Sequence, residues 1–391
     1  MRVNRIIGKC PGCGAEDAYG NVLVAKNILI RGCLNCKHSE QWPLPALSKV
    51  IIYLDQFFLS HAFRGKPEFV KVSGIITDLA DSQLLVCPRS SIHEDETHQW
   101  RDYRQKELWE FIRQASRGHE FAPEYEIKRR QIQIAFKRFL AKDSDRFPIS
   151  PDVALPKNVN DWDDYFRVEI NRPPDNVEEL RRLKEQSTER FVNVFPKWRR
   201  ETTSFEEDRH EELSATYHGY LELYFTKLAR EMNGDLLAEL YSPVDAQIVQ
   251  SLLRTGRKVM EDHEYFERIQ DFFNSEYFQE VPYEDISAGL FAVLRQRIKN
   301  GHYENPEKAK KRLSGFFFDV KFISAYAPYC DAMFLDNAMF DLVNDPQLKL
   351  KQKYGTKFFS RNNWDQFIGF LNAIDERKSR ELDQTLKLVY P

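Results

Sequence analysis

Five acids stand where their positions suggest chemistry: Asp55, Glu96, Asp319, Asp331 and Asp336. Carboxylates brought to one place hold Mg²⁺ or Mn²⁺, hard cations that take oxygen ligands, keep several waters and activate one of them as a nucleophile. In-line attack on a phosphodiester follows from such a site, with the metal stabilising the developing charge. No His or Cys ligand is required. Elements far apart in sequence must then carry these acids to one place.

Asp55 ends Lys49-Val50-Ile51-Ile52-Tyr53-Leu54-Asp55, an apolar, β-branched run typical of a buried parallel strand. The acid therefore falls at the carboxyl edge of a sheet, where ligands collect in open α/β folds. It also stands where a helix beginning near Gln56 needs a cap, and from position alone cap and catalysis are equal readings. Glu96 follows a second short apolar run, Leu84 to Pro88, and lies about two turns into a helix that Ser90 would cap. Helical spacing puts Ile92 and Glu96 on one face and turns Glu94 away, which makes Glu96 the inward member of Glu94-Asp95-Glu96. His93 fits a proton-transfer or phosphate contact and, equally, a plain hydrogen-bonded helix residue.

Toward the C-terminus, Phe316 to Asn337 reads as helix, short loop, buried strand and loop. Asp319 has Phe316, Phe322 and Ile323 as helical neighbours, so it borders a packing stripe, where a carboxylate needs a cation or a basic partner. Asp331 opens the strand Ala332 to Leu335 and Asp336 closes it. At roughly 3.3 Å per residue those two are too far apart to chelate one ion. Asp336 is the better placed, at the same kind of strand end as Asp55.

With these positions the chain resembles the PIN-like metal-dependent nucleases. That family carries an Asp after the first strand, a Glu in a helix opened by a Ser-rich segment, an Asp on a later helix, and an Asp or Asn after the next strand. The matching residues are Asp55 in Ile-Ile-Tyr-Leu-Asp, Glu96 in Ser-Ser-Ile-His-Glu-Asp-Glu, Asp319 or Asp331, and Asp336 in Phe-Leu-Asp-Asn. Asp331 stands beside Asp319 because Ala-Pro-Tyr-Cys-Asp-Ala-Met-Phe resembles divergent members in which an Asp before the last core strand belongs to the set. The likeness covers residues 50–100 and 310–375, and more than 200 residues separate Glu96 from Asp319. The resemblance implies an α/β fold, a PIN-like parallel sheet flanked by helices and interrupted by a large helical insertion. It implies a metal-dependent endonuclease acting on RNA in preference to DNA, with Asp55, Glu96, Asp319 and Asp336 holding Mg²⁺ or Mn²⁺. A toxin, antiviral-defence or RNA-processing role, with a regulatory protein partner, goes with it.

The N-terminus carries Cys10-Pro11-Gly12-Cys13 and Cys33-Leu34-Asn35-Cys36, two Cys-x-x-Cys knuckles separated by nineteen residues. Four thiolates at that spacing make a structural zinc ribbon, a small β unit with strands between Val22 and Ile30. A closed Cys₄ site does no chemistry of its own; it grips nucleic acid, docks a partner or staples an end. The resulting layout is 1–45 zinc ribbon, 46–100 first part of the nuclease domain, 101–310 helix-rich insertion and 311–391 second part.

Composition fits a cytoplasmic protein with no signal peptide and no apolar run long enough to span a membrane. Cys87 and Cys330 read as core thiols. A net charge of −3 excludes a uniformly basic nucleic-acid binder. Local basic stretches remain: Lys128-Arg129-Arg130 with Lys137-Arg138, Arg295 to Arg312, and five basic residues without an acid between Pro346 and Trp364. The last is interleaved with Tyr354, Phe358 and Phe359 and suits phosphate contact or an exposed turn equally. The insertion has helical apolar spacing, with breaks at Phe147-Pro148-Ile149-Ser150-Pro151 and Arg172-Pro173-Pro174-Asp175, and offers helices to cover the site or form an oligomer surface. A haloacid-dehalogenase-type phosphatase needs a second Asp where Phe57 stands, and a dinucleotide site needs glycines where Gln56-Phe57-Phe58 stand. The remaining rival is a non-catalytic nucleic-acid- or protein-binding module on a degenerate nuclease fold.

Overall fold

Two four-stranded sheets organise the computed structural model, which describes residues 3–100, 104–165, 177–235, 237–238, 243–256 and 264–391. Strands β1 (Arg5–Gly8), β2 (Tyr19–Ala25), β3 (Ile28–Cys33) and β4 (Ser39–Pro43) form an antiparallel meander. Strands β5 (Val50–Leu54), β6 (Leu85–Val86), β7 (Ala332–Phe334) and β8 (Lys357–Phe359) form a parallel sheet in the order β6-β5-β7-β8. The Arg172–Asp175 break lies outside the described residues.

Every residue of β5 is buried, as a central strand covered on both faces must be. Alternation along the strands divides the core. Ile51, Tyr53, Val86, Met333 and Phe358 enter one cluster with helices Glu124–Ala141, Pro282–Lys299 and Phe316–Tyr326. Ile52, Leu54, Leu85, Phe334 and Phe359 point the other way, into a cluster with helices Gln56–Phe63, Pro67–Asp81 and Trp364–Asp375. Cys330 belongs to the first cluster and is buried. A third cluster, with Phe136, Leu213, Val249 and Phe272, is built among helices of the insertion. Helix Pro282–Lys299 joins it to the sheet: Ala288 faces the third cluster, while Ile286, Leu290 and Ile298 face the first.

The amino edge of the parallel sheet is closed by a buried charge hub. Asp163 accepts from Lys49 Nζ at 3.2 Å, Gln83 Nε2 at 3.3 Å and Arg117 Nε at 3.3 Å, and lies 3.1 Å from His119 Nε2. Burial pushes its carboxyl up, but the bond to His119 and the charges of Lys49, His119 and Arg117 outweigh this and hold it well below the usual carboxylate range. The stability this contributes is present above the unfolded value of about 3.9 and is lost as pH falls. Asp163→Asn is therefore expected to cost about 3 kcal/mol at pH 7, because it leaves Lys49 buried without its partner carboxylate. Urea unfolding at pH 7, 4 and 2.5 checks this; the gap between parent and variant should hold nearly constant to about pH 4 and narrow below it.

The basic stretches of the insertion are largely consumed internally. Lys128 pairs with Asp245 at 2.6 Å, and Arg138 lies near Asp143 and Glu280. Arg295 is 5 % exposed and bonds Glu201, Asp208 and Glu211, while Lys299 bonds Asp208 at 2.6 Å. These cations hold helices together, while Lys137, Lys308, Lys311 and Arg312 of the same stretches are exposed.

Candidate active site and metal centre

Because β5 and β7 are adjacent and parallel, their carboxyl ends finish side by side. The Asp55 amide donates to Phe334 O at 3.0 Å, and Asp336 follows two residues later. Asp55 is 6 % exposed and stands at the N-cap of helix Gln56–Phe63. Burial, then the charges of Glu96 and Asp336, push its carboxyl well above the ordinary range, against the opposing pull of the Phe57 and Gln56 amides. Cap and clustered acid are thus the same residue. Asp336 caps its own helix, Asn337–Val343, by accepting from Met339 N at 2.8 Å.

Glu96 reaches this point through a fixed helix. Ser90 Oγ accepts from His93 N at 3.4 Å, and His93 Nδ1 accepts from Ser90 N at 3.1 Å, so the helix Ser91–His98 opens on a reciprocal cap. The other ring nitrogen, Nε2, donates to Leu54 O at 2.8 Å, directly before Asp55. Burial pushes His93 down to about 4, so it is neutral near pH 7 with both nitrogens engaged. It therefore ties the Glu96 helix to the end of β5 and has no nitrogen left for proton transfer. Its ring stacks on Tyr53 at 4.8 Å, and the Tyr53 hydroxyl lies 2.9 Å from Ser90 Oγ.

A second tie was invisible in the pattern of acids. Gln56, next to Asp55, donates from Nε2 to Oγ1 of Thr97, next to Glu96, at 3.0 Å. The signal available was only the presence of a carboxamide and a hydroxyl, each one residue beyond an acid.

Asp319 lies in the first turn of helix Phe316–Tyr326, on the face it shares with Phe322 and Tyr326. Those rings stack on Tyr53 at 5.0 and 5.4 Å, which brings that face toward the end of β5. The Asp319 carboxylate folds back over the helix start, since a Cβ at Gly315 would stand 3.3 Å from its Oδ2. Asp331 goes elsewhere. It is exposed, accepts from Ile51 N at 2.8 Å and donates its amide to Ile51 O at 2.9 Å. That is the amino edge, about 13 Å along β5 from Asp55 at strand rise.

The four N-terminal cysteines close around a point. Their Sγ atoms all lie within 4.8 Å of one another, with Cys10–Cys36 and Cys13–Cys33 both at 3.8 Å. Ligands about 2.3 Å from a tetrahedral ion stand about 3.8 Å apart, so the set can hold a metal such as zinc. The amides of Asn35 and His38 donate to the sulfurs of Cys33 and Cys36. Gly14 adopts φ +71° in the first knuckle, and a Cβ on Gly12 would stand 2.9 Å from His38 Cβ. Among the described residues this is the one set of three or more ligating groups drawn so close. Asp55, Glu96, Asp319 and Asp336 do not form a set drawn together to that degree.

Compared with protein-family models, curated proteins and solved structures, the chain matches none. Among the described residues no helix is long and apolar enough to cross a membrane.

Proposed function

We propose that this chain is a divalent-metal-dependent endonuclease of PIN-like fold with an N-terminal structural zinc ribbon. One observation carries the reading: Asp55, buried at the carboxyl edge of a parallel sheet, is pushed well above the usual carboxylate range by burial and by Glu96 and Asp336. Like charges converging in a buried place are unfavourable unless a cation joins them. Asp55, Glu96 and Asp336, with Asp319 on the adjoining helix face, would hold Mg²⁺ or Mn²⁺. When bound, such an ion supplies an activated water and neutralises charge on a phosphate.

The chain's own residues set the stage. His93 and the Leu54 carbonyl fix the end of β5 against the Glu96 helix, Gln56 and Thr97 repeat that link, and the Met339 amide orients Asp336. RNA in preference to DNA, a cytoplasmic setting and a toxin, antiviral-defence or RNA-processing role rest on the family resemblance. The test is incubation with RNA, single-stranded DNA and duplex DNA, with Mn²⁺ and without added metal. Metal-dependent RNA cleavage is expected. Tight binding without cleavage of any substrate would replace this reading with the non-catalytic module.

The two rival third acids separate in the same assay. Asp319→Asn is expected to slow cleavage, whereas Asp331→Asn should leave the rate unchanged. The latter keeps an amide oxygen to accept from Ile51 N and removes only the charge, so it should cost less than about 1 kcal/mol in urea unfolding. A slow Asp331→Asn and an unaffected Asp319→Asn would reverse the assignment.

A further inference from the structure

A cavity of about 610 Å³ opens at the amino edge of the parallel sheet, lined by residues of the insertion and of the Lys349–Tyr354 segment. That volume is typical of small-molecule sites. One wall is a neutralised carboxylate: Asp285, 6 % exposed, accepts from Arg209 at 2.8 Å, Lys353 at 2.6 Å and the Tyr354 hydroxyl at 3.3 Å. Arg209 also lies 3.7 Å from Glu206, so this wall is a closed network of two cations and two acids. Arg146 and Lys349, both exposed, add two more cations to the lining.

The remaining lining is of a different kind. Phe147 and Tyr354 supply rings, and Gln279 and Gln352 supply carboxamides able to donate and accept. Glu276 and Glu280 complete it, and Glu280 lies 3.6 Å from Arg138. Cations for a phosphate, rings for stacking, carboxamides for a base edge and carboxylates for ribose hydroxyls together describe one ligand class. A cavity of about 610 Å³ is the size for one nucleotide and not for a strand.

The geometry points to a binding site for a nucleoside phosphate, separate from the carboxylate cluster. Lys349 to Tyr354 precede β8, whose start pairs with Ala332 at the amino edge, whereas Asp55 and Asp336 lie at the opposite edge. The ligand would contact the insertion through Arg209 and the sheet domain through Lys349 and Lys353, so its binding would clamp the two parts together.

The test uses the full chain without added divalent metal, so that binding is read independently of any metal-dependent cleavage. Each of the four common nucleoside triphosphates is titrated by calorimetry and by thermal shift, beside inorganic triphosphate and a short single-stranded RNA. At least one nucleotide is expected to bind with one-to-one stoichiometry and raise the melting temperature. Arg146→Glu/Lys349→Glu should weaken it about tenfold or more, as expected for lost charge-assisted contacts. Both side chains are exposed, so the unliganded variant should melt as the parent does; Lys349→Gln serves in its place if it does not. Absence of binding by all four nucleotides, equal binding by inorganic triphosphate, or unchanged affinity in the variants would overturn the proposal. RNA that competes for the site and loses affinity in the same variants would overturn it in favour of a strand-binding groove.

Discussion

Asp55→Asn is expected to lower metal-dependent cleavage roughly a thousandfold or more, about 4 kcal/mol of transition-state stabilisation, while leaving the protein at least as stable as its parent. The two effects have one origin. Asp55 is buried at a strand end with Glu96 and Asp336 close enough to raise its carboxyl, so its ionised form is unfavourable in the fold. Asparagine keeps the shape and an oxygen for the amides at the start of helix Gln56–Phe63, but removes the charge. A mutation that merely damaged the structure would lower activity and stability together.

The sign of the pH dependence follows from the same shift. A carboxyl raised in the fold contributes fully to stability below its unfolded value of about 3.9, and that contribution is lost as pH rises through the folded value. Without metal, the parent should therefore gain stability relative to Asp55→Asn as pH is lowered from 7.5 to about 5. Mn²⁺ should raise the melting temperature of the parent at pH 7.5 and have much less effect on the variant. Cleavage rates and thermal unfolding of both proteins, with and without Mn²⁺, decide the matter. Equal cleavage by the two proteins would end the nuclease reading; a clearly less stable Asp55→Asn would end the account of why Asp55 is perturbed.

What could be read from the sequence was local. The run Val50–Leu54 is apolar and β-branched throughout, and its burial on both faces follows from that composition. Ser90 before a polar helix announced its cap, and the cysteine spacing announced four converging sulfurs. The roles of Asp319 and Asp331 could not be separated, because they depend on which strand lies beside β5. That Asp331 opens its strand and Asp336 closes it was legible; that this strand pairs with β5, Ile52 against Ala332, and so sets Asp336 beside Asp55, is encoded by no local propensity. The basic stretches stayed ambiguous for a related reason: nothing near Arg295 and Lys299 in sequence shows that Asp208, far earlier in the chain, pairs with both. His93 likewise needed the Leu54 carbonyl, at the end of β5, to become a bridge.

Replacing Cys10 and Cys13 together by serine should remove about one equivalent of zinc per chain and unfold the antiparallel sheet. The buried cluster proper to that unit is Cys10, Ala18, Tyr19 and Cys33, too small a core to hold four strands without a staple. Metal binding to a structural Cys₄ site is worth about 10–16 kcal/mol, and here it would be folding free energy. The loss should not stop at the ribbon. Val24 and Leu29 share a core cluster with the parallel sheet, Asn21 donates to Leu388 O and Val389 O, and Trp162 donates to Lys26 O and Pro45 O. Unfolding β1–β4 would expose that cluster and release the C-terminal helix Arg380–Val389, so the melting temperature of the whole chain should fall. Cys87→Ser, outside the cluster, is the control and should keep its zinc. Zinc content measured by elemental analysis, beside the melting curve, tests both steps. Unchanged zinc would refute the Cys₄ assignment, and lost zinc with an unchanged melting curve would show that the ribbon is an independent appendage whose contacts with the body carry little energy.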